Sequence, residues 1–192
     1  MTRFLLSVAA AVMLALGVAA PAQAQRLVVD DPTGDVYTYP STEAGWVNVG
    51  SVVNTDLVRT TVDHRARDVR VRAKYVELTK GPSQGIQLGV DLQTGDYYSI
   101  FATAHRPFRT MRVTINNLDE DTGELDCPGA RASLSFKRDT LTLVVPRACL
   151  GNPATVMFRG LAGSRTGEES FQDDALSADP FPVDYSKALC PG

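Results

Sequence analysis

Apolar and polar side chains alternate with a period of two in stretch after stretch of this chain, and no stretch sustains a helical period. Val69, Val71, Ala73 and Tyr75 alternate with Arg70, Arg72 and Lys74, and Ile86, Leu88, Val90 and Leu92 with Gln87, Gly89 and Asp91. Met111, Val113 and Ile115 alternate with Arg112 and Thr114, and Leu141, Leu143 and Val145 follow the same rule. Successive side chains of a strand point to opposite faces, so each stretch offers one apolar and one polar face. Further runs at 56–63, 97–103, 132–136 and 155–159, with turn signals between them, bring the expectation to about eight or nine short strands. Strands with one buried face pack as two antiparallel sheets, so the expected fold is an all-β, jelly-roll-like sandwich. The acids agree, since sixteen are Asp and six are Glu: Asp favours turns by bonding to nearby backbone, whereas Glu favours helix.

Several connections can be placed. Thr94-Gly95 should form a tight hairpin turn. Residues 64–67 link the strand ending near Asp63 to the one starting at Asp68, and Asp119 to Gly123 leads from the Met111 strand to a short partner ending near Cys127. Residues 25–54 read as loose and turn-rich, and residues 160–192 as irregular, with Pro180 and Pro182 unsuited to a central strand.

Residues 1–24 have the layout of a secretory signal: one charge at Arg3, an apolar run from Phe4 to Ala20, and Ala22-Gln23-Ala24 at the end. The expectation is export, with 25–192 as one soluble, monomeric domain. The apolar run is too short for a membrane span, and no cysteine follows it to accept a lipid. Removing Arg3 leaves 18 basic against 22 acidic side chains, a balance that gives no reason to expect nucleic acid as partner.

Three cysteines allow one internal bridge and leave one thiol over. A hairpin between 132–136 and 140–144, turning at 137–139, makes facing residue numbers add to about 276, and Cys127 and Cys149 satisfy that relation. They should face each other just beyond the hairpin and bridge in an oxidising compartment. Cys190 is then a free thiol on the tail, a link to another chain, or the partner of one of the other two.

Asp30-Asp31-Pro32-Thr33-Gly34-Asp35 places three carboxylates on one turn, and Glu168, Glu169, Asp173 and Asp174 form a second acidic group. Turn chemistry alone accounts for the first, with Pro fixing φ and Gly taking positive φ. If the terminal segments meet, Asp31, Asp35, Asp173 and Asp174 can instead share a calcium ion, which takes six to eight oxygens. Asn117, Asp119 and Asp121 resemble a calcium loop weakly, because Thr122 stands where Gly is needed. Arg59, Arg65, Arg67, Arg70, Arg72 and Lys74 form a cationic stripe that reads first as a solvated sheet face. Trp46, in a Gly-flanked loop, is a core plug or a ligand contact; Tyr97 and Tyr98 must point to opposite faces.

Catalytic templates fail. Two histidines cannot supply a multi-His metal site, H-E-x-x-H is absent, and Ser164 has Ala162 where a nucleophile elbow needs Gly. Two acids brought together by folding leave no local trace, so a hydrolase of an extracellular polymer stays open as an alternative.

Asp31-Pro32-x-Gly34-Asp35, Asp56-Leu57 with Val62-x-His64, Cys127-Pro128-Gly129, Pro146-Arg147-x-Cys149-Leu150-Gly151-x-Pro153 and Asp173-Asp174-Ala175 together resemble small secreted proteins of actinobacterial type. These are similar to the β-sandwich folds of carbohydrate-binding and DOMON-like modules. The resemblance implies a jelly-roll-like, non-catalytic domain. Paired haem ligands are missing, so haem is not implied. The functional expectation is an extracellular binding module for a polysaccharide or protein. A structural protein of the envelope is the other non-catalytic alternative.

Overall fold

The computed structural model describes residues 25–39, 45–120, 123–178 and 184–192; the secretory-signal expectation falls on residues outside these. The chain forms strands β1 (Gln25–Asp30), β2 (Val36–Thr38), β3 (Val47–Gly50), β4 (Leu57–His64), β5 (Asp68–Tyr75) and β6 (Gly85–Gln93). It continues with β7 (Tyr97–His105), β8 (Arg112–Asn117), β9 (Arg131–Ser135), β10 (Thr140–Pro146), β11 (Met157–Thr166) and β12 (Glu169–Asp174). Two antiparallel sheets result: a five-stranded sheet in the order β1-β4-β5-β10-β9 and a seven-stranded sheet in the order β3-β2-β12-β11-β6-β7-β8. The architecture is all-β and not a closed barrel.

The alternating stretches become the central strands because each supplies one face to the space between the sheets. Val71, Ala73, Leu141 and Leu143 line it from one side, and Ile86, Leu88, Val90, Ile100 and Phe158 from the other, all at most 1 % exposed. Burying each large aliphatic or aromatic side chain contributes about 1.5–3 kcal/mol. Gly160 is required here: a Cβ would meet the Phe158 ring at 2.7 Å and the Gly89 carbonyl at 3.2 Å.

The sheets hold more strands than the eight or nine expected, and the additions lie in the two regions read as irregular. β1 is an edge strand whose Leu27-Val28-Val29 run does not alternate, and pairing with β4 defines it. β2 and β3 are short, with Val47 and Val49 both 42 % exposed. β12 is Glu169-Ser170-Phe171-Gln172-Asp173-Asp174, too polar to show a hydrophobic period. β11 runs beyond the expected 155–159 because its inward residues after Phe158 are small: Gly160, Ala162 and Ser164.

The anticipated turns between β6 and β7 and between β4 and β5 are present, while part of the one from Asp119 to Gly123 lies outside the described residues. β6 and β7 join through Gly95 at φ 114°, and β4 and β5 through a turn in which Arg65 N–H donates to the Asp68 carbonyl at 2.9 Å. Beyond β8, Glu124 bridges back to Asn116. Ser135 faces Thr140, one residue off the anticipated register. Cys149 reaches Cys127 from a short 3-10 turn, Arg147–Leu150, with the Cα atoms 5.6 Å apart.

The tail is docked rather than loose. Leu189 is fully buried, its backbone pairs with Val156, and its carbonyl lies 2.8 Å from Nδ1 of buried His64. Burial lowers the His64 pKa against the raising effect of that carbonyl, which keeps the ring neutral. Cys190 carries a free, exposed thiol, while its backbone is tied to Gln25 by bonds of 3.2 and 2.8 Å.

Replacing both Cys127 and Cys149 by Ser removes a bridge between residues 22 apart in sequence. Urea unfolding should then show roughly 3 kcal/mol less stability, from the loop-closure entropy returned to the unfolded chain.

Candidate metal centre

The chain crosses between the sheets after β1 and again after β3, and both crossings lie at one end of the sandwich. Asp31 and Asp35 flank the first crossing. Asp31 N–H still donates to the Val58 carbonyl at 3.1 Å, and Gly34, at φ 81°, turns the chain so that fully buried Val36 can start β2. Asp56 ends the second crossing and holds the first, its Oδ2 accepting from Gly34 N–H at 3.1 Å. Asp173 comes from β12, where its pairing with core residue Ala162 directs it inward. Its Oδ2 accepts from Leu57 N–H at 2.7 Å, tying the seven-stranded sheet to the five-stranded one.

These four carboxylates are between 0 and 7 % exposed, and among the described residues no ion pair reaches them. Six of their oxygens have no hydrogen-bond partner: both of Asp31, both of Asp35, Oδ1 of Asp56 and Oδ1 of Asp173. The hydroxyl of fully buried Tyr75 has none either, and the charge of Asp173 acts on it. Buried polar atoms are nearly always paired, and a buried charge is costly unless it is compensated. An enclosed group of orphan carboxylate oxygens therefore has two resolutions, protons or a cation.

The protonated resolution is visible in the acidities. Burial first, then the charges of Asp173, Asp35, Asp174 and Asp56, pushes the Asp31 carboxyl up to about 9. Burial likewise pushes Asp173 up to about 8 against the lowering effect of Leu57 N–H, and Asp35 is raised chiefly by burial. The cationic resolution is favoured by geometry. Asp31, Asp35 and Asp173 each bring an oxygen to within 4.8 Å of the others, and an ion bonded at about 2.4 Å spans about 4.8 Å between opposite ligands. An all-oxygen, carboxylate-rich set suits a hard cation, and the five free oxygens of Asp31, Asp35 and Asp173, with Asp56 close enough to act on their charge, match calcium better than magnesium, which retains several waters.

The sequence places Asp31, Asp35, Asp173 and Asp174 in one candidate set, and the structure brings the first three together with Asp56. Asp174 pairs with Leu161, so it points to the opposite face from Asp173. Its oxygens accept from Leu176 N–H at 2.8 Å and Ser177 Oγ at 3.2 Å, holding the turn after β12. The sequence does not group Asp56 with these acids, because a single acid just before a strand has no local mark of its burial, and Tyr75 is legible there only as part of the apolar face of its strand. Glu168 and Glu169 stay exposed on the β11–β12 turn. Asn117 accepts from Asp119 N–H and Asp119 from Tyr97 N–H, so both side chains serve as turn braces; Asp121 and Thr122 lie outside the described residues.

Trp46 is half-buried just before β3, packed edge-on against Tyr39 with centroids 5.2 Å apart. It is not a core plug. Tyr97 is 37 % exposed and Tyr98 5 %, on opposite faces. In the cationic stripe, Arg59 pairs with Asp30, Arg65 with Asp63 and Lys74 with Asp139, which leaves a partly neutralised sheet face.

No protein-family model, curated protein or solved structure matches this chain. The resemblance to carbohydrate-binding and DOMON-like modules therefore stands on its short motifs alone.

In calcium-free buffer with EDTA the cluster works against stability as pH rises. Asp31 and Asp173 hold protons in the folded state up to about 9 and about 8, whereas ordinary carboxyls of the unfolded chain ionise near 3.8. The folded state binds more protons between these limits, so the melting temperature should fall steadily from about pH 4 to pH 8. Calorimetry across that range checks the sign, and a rise instead would show that the carboxyls are not strained by proximity.

Proposed function

We propose that this chain is an exported, non-catalytic β-sandwich binding module whose fold is completed by a calcium ion held by Asp31, Asp35, Asp56 and Asp173. One observation carries the reading: six partnerless carboxylate oxygens enclosed where two crossings and β12 converge. A cation there would join segments 142 residues apart in the chain, Asp31 and Asp173. The site would lend stability rather than turnover. Its carboxylates are sealed from solvent, whereas a pair hydrolysing a polymer needs a groove that admits substrate. The Cys127–Cys149 bridge suits an oxidising compartment, and no helix among the described residues is long and apolar enough to cross a membrane. The ligand of such a module is an extracellular polysaccharide or protein.

Thermal unfolding of the exported protein in excess calcium and in EDTA tests the metal. At 100 times its dissociation constant, an ion that binds only the folded state adds about 2.7 kcal/mol, a rise of about 5–10 °C for a domain of this size. Identical curves at pH 8 would sink the reading. Asp31→Asn gives a sign-inverting control. It should melt a few degrees higher than wild type in EDTA at pH 8, because an amide takes up no proton on folding whereas the Asp31 carboxyl, pushed up to about 9, must. It should also lose most of the calcium response.

A further inference from the structure

The outer face of the seven-stranded sheet carries a second feature, on the side of β11 and β12 turned away from the acidic cluster. Register aligns Gln172 of β12, Gly163 of β11, Gln87 of β6, Thr103 of β7 and Arg112 of β8 in one row. Buried neighbours on either side (Ile86 and Leu88, Ala102 and Ala104) turn Gln87 and Thr103 outward. The next row is Arg165, Gly85 and His105. Gly163 and Gly85 have no side chains, so the two rows enclose a depression of about 310 Å³. Leu161, Gly89 and Phe101 form the row on the other side, where the Phe101 ring lies so close over Gly89 that a Cβ would meet it at 3.3 Å. Four inter-strand gaps of about 4.8 Å make the central row roughly 19 Å long.

The chemistry of this trough is specific. The side chains of Gln87 and Thr103 stand on the outer face and make no hydrogen bond to the described residues, while the His105 ring lies over Gly85, where a Cβ would meet its Nδ1 at 3.1 Å. An amide donates and accepts at once, as a sugar hydroxyl does. The Phe101 and Leu161 strip offers an apolar surface for the C–H face of a sugar ring. Among the described residues no acid lines the depression; Arg165 is its one arginine and donates to the Gly167 carbonyl, while Arg112 at the end of the row is paired with Glu124 at 2.8 Å. The cationic stripe that a polyanion would seek lies on the other sheet.

We propose that this glycine-floored trough binds an uncharged polysaccharide laid across the strands. The inference rests on the binding-module reading and names its ligand class. The site uses none of the metal-cluster residues.

Native affinity electrophoresis of the calcium-loaded full protein tests it, with dextran, galactomannan or hydroxyethylcellulose in the gel and polygalacturonate as the anionic comparison. At least one neutral polymer should slow the wild type. Gly163→Leu fills the trough at a position where a Cβ meets the Phe171 carbonyl at a tolerable 3.4 Å, and Gln87→Ala removes one amide. Each should weaken retardation tenfold or more, while Arg72→Glu on the opposite sheet leaves it unchanged. Retardation by polygalacturonate alone, retardation by none of the polymers, or equal retardation of both trough variants and wild type would overturn the proposal. Melting each variant in calcium and in EDTA keeps the two readings separate. A failed metal site appears there as coincident curves, whatever the gels show.

Discussion

The bond from Leu57 N–H to the Asp173 carboxylate sets the terms for one end of this sandwich. It joins the first residue of β4 in one sheet to the penultimate residue of β12 in the other. To make it, an acidic side chain must stand inside, and the same end must then accommodate Asp31, Asp35 and Asp56. A hydrophobic core closes by adding apolar area, which tolerates variation in shape. Closure by carboxylates depends on a compensating charge and is far less forgiving. Two different kinds of force therefore act on the sandwich: dispersion and water exclusion through its middle, and electrostatics at the end where the chain passes from β1 to β2 and from β3 to β4.

The two outer faces divide the remaining chemistry. The five-stranded sheet presents the arginines and Lys74 of β4, β5 and the turn between them, with Arg59, Arg65 and Lys74 paired with Asp30, Asp63 and Asp139. Exposed pairs of this kind contribute little stability each, but charged edges and faces discourage sheet-to-sheet association. The seven-stranded sheet presents amides, hydroxyls and glycines. That asymmetry follows from register, since the inward residues of β6, β7 and β11 leave Gln87, Thr103 and Gly163 facing out side by side.

The fold class was legible because alternation is imposed by the two-layer core itself. Wherever a strand has one dry and one wet face, as β5, β6 and β10 have, its sequence records that fact. β12 records nothing of the kind, since its inward position is occupied by Asp173, and β1 is obscured by three consecutive apolar residues. The candidate site was half legible for a related reason. Asp31-Pro32-x-Gly34-Asp35 is marked by its turn residues, and Asp173 by lying near the other end of the chain. Nothing local separates Asp173 from Asp174, since only pairing with Ala162 or Leu161 decides which faces inward. Asp56 is a lone acid before a strand and becomes visible only when the crossings meet.

The hydrogen bonds between Gln25 and Cys190 have a topological consequence. They hold the start of β1 against the last few residues, so Gln25 and the C-terminal residues meet at one corner of the sandwich. In a chain beginning at Gln25, a short linker across that corner would close the backbone into a ring, and the chain could then be reopened at an exposed hairpin such as Thr94-Gly95, keeping every strand pair while changing their order of synthesis. Anything appended after Gly192 would likewise emerge beside the start of β1.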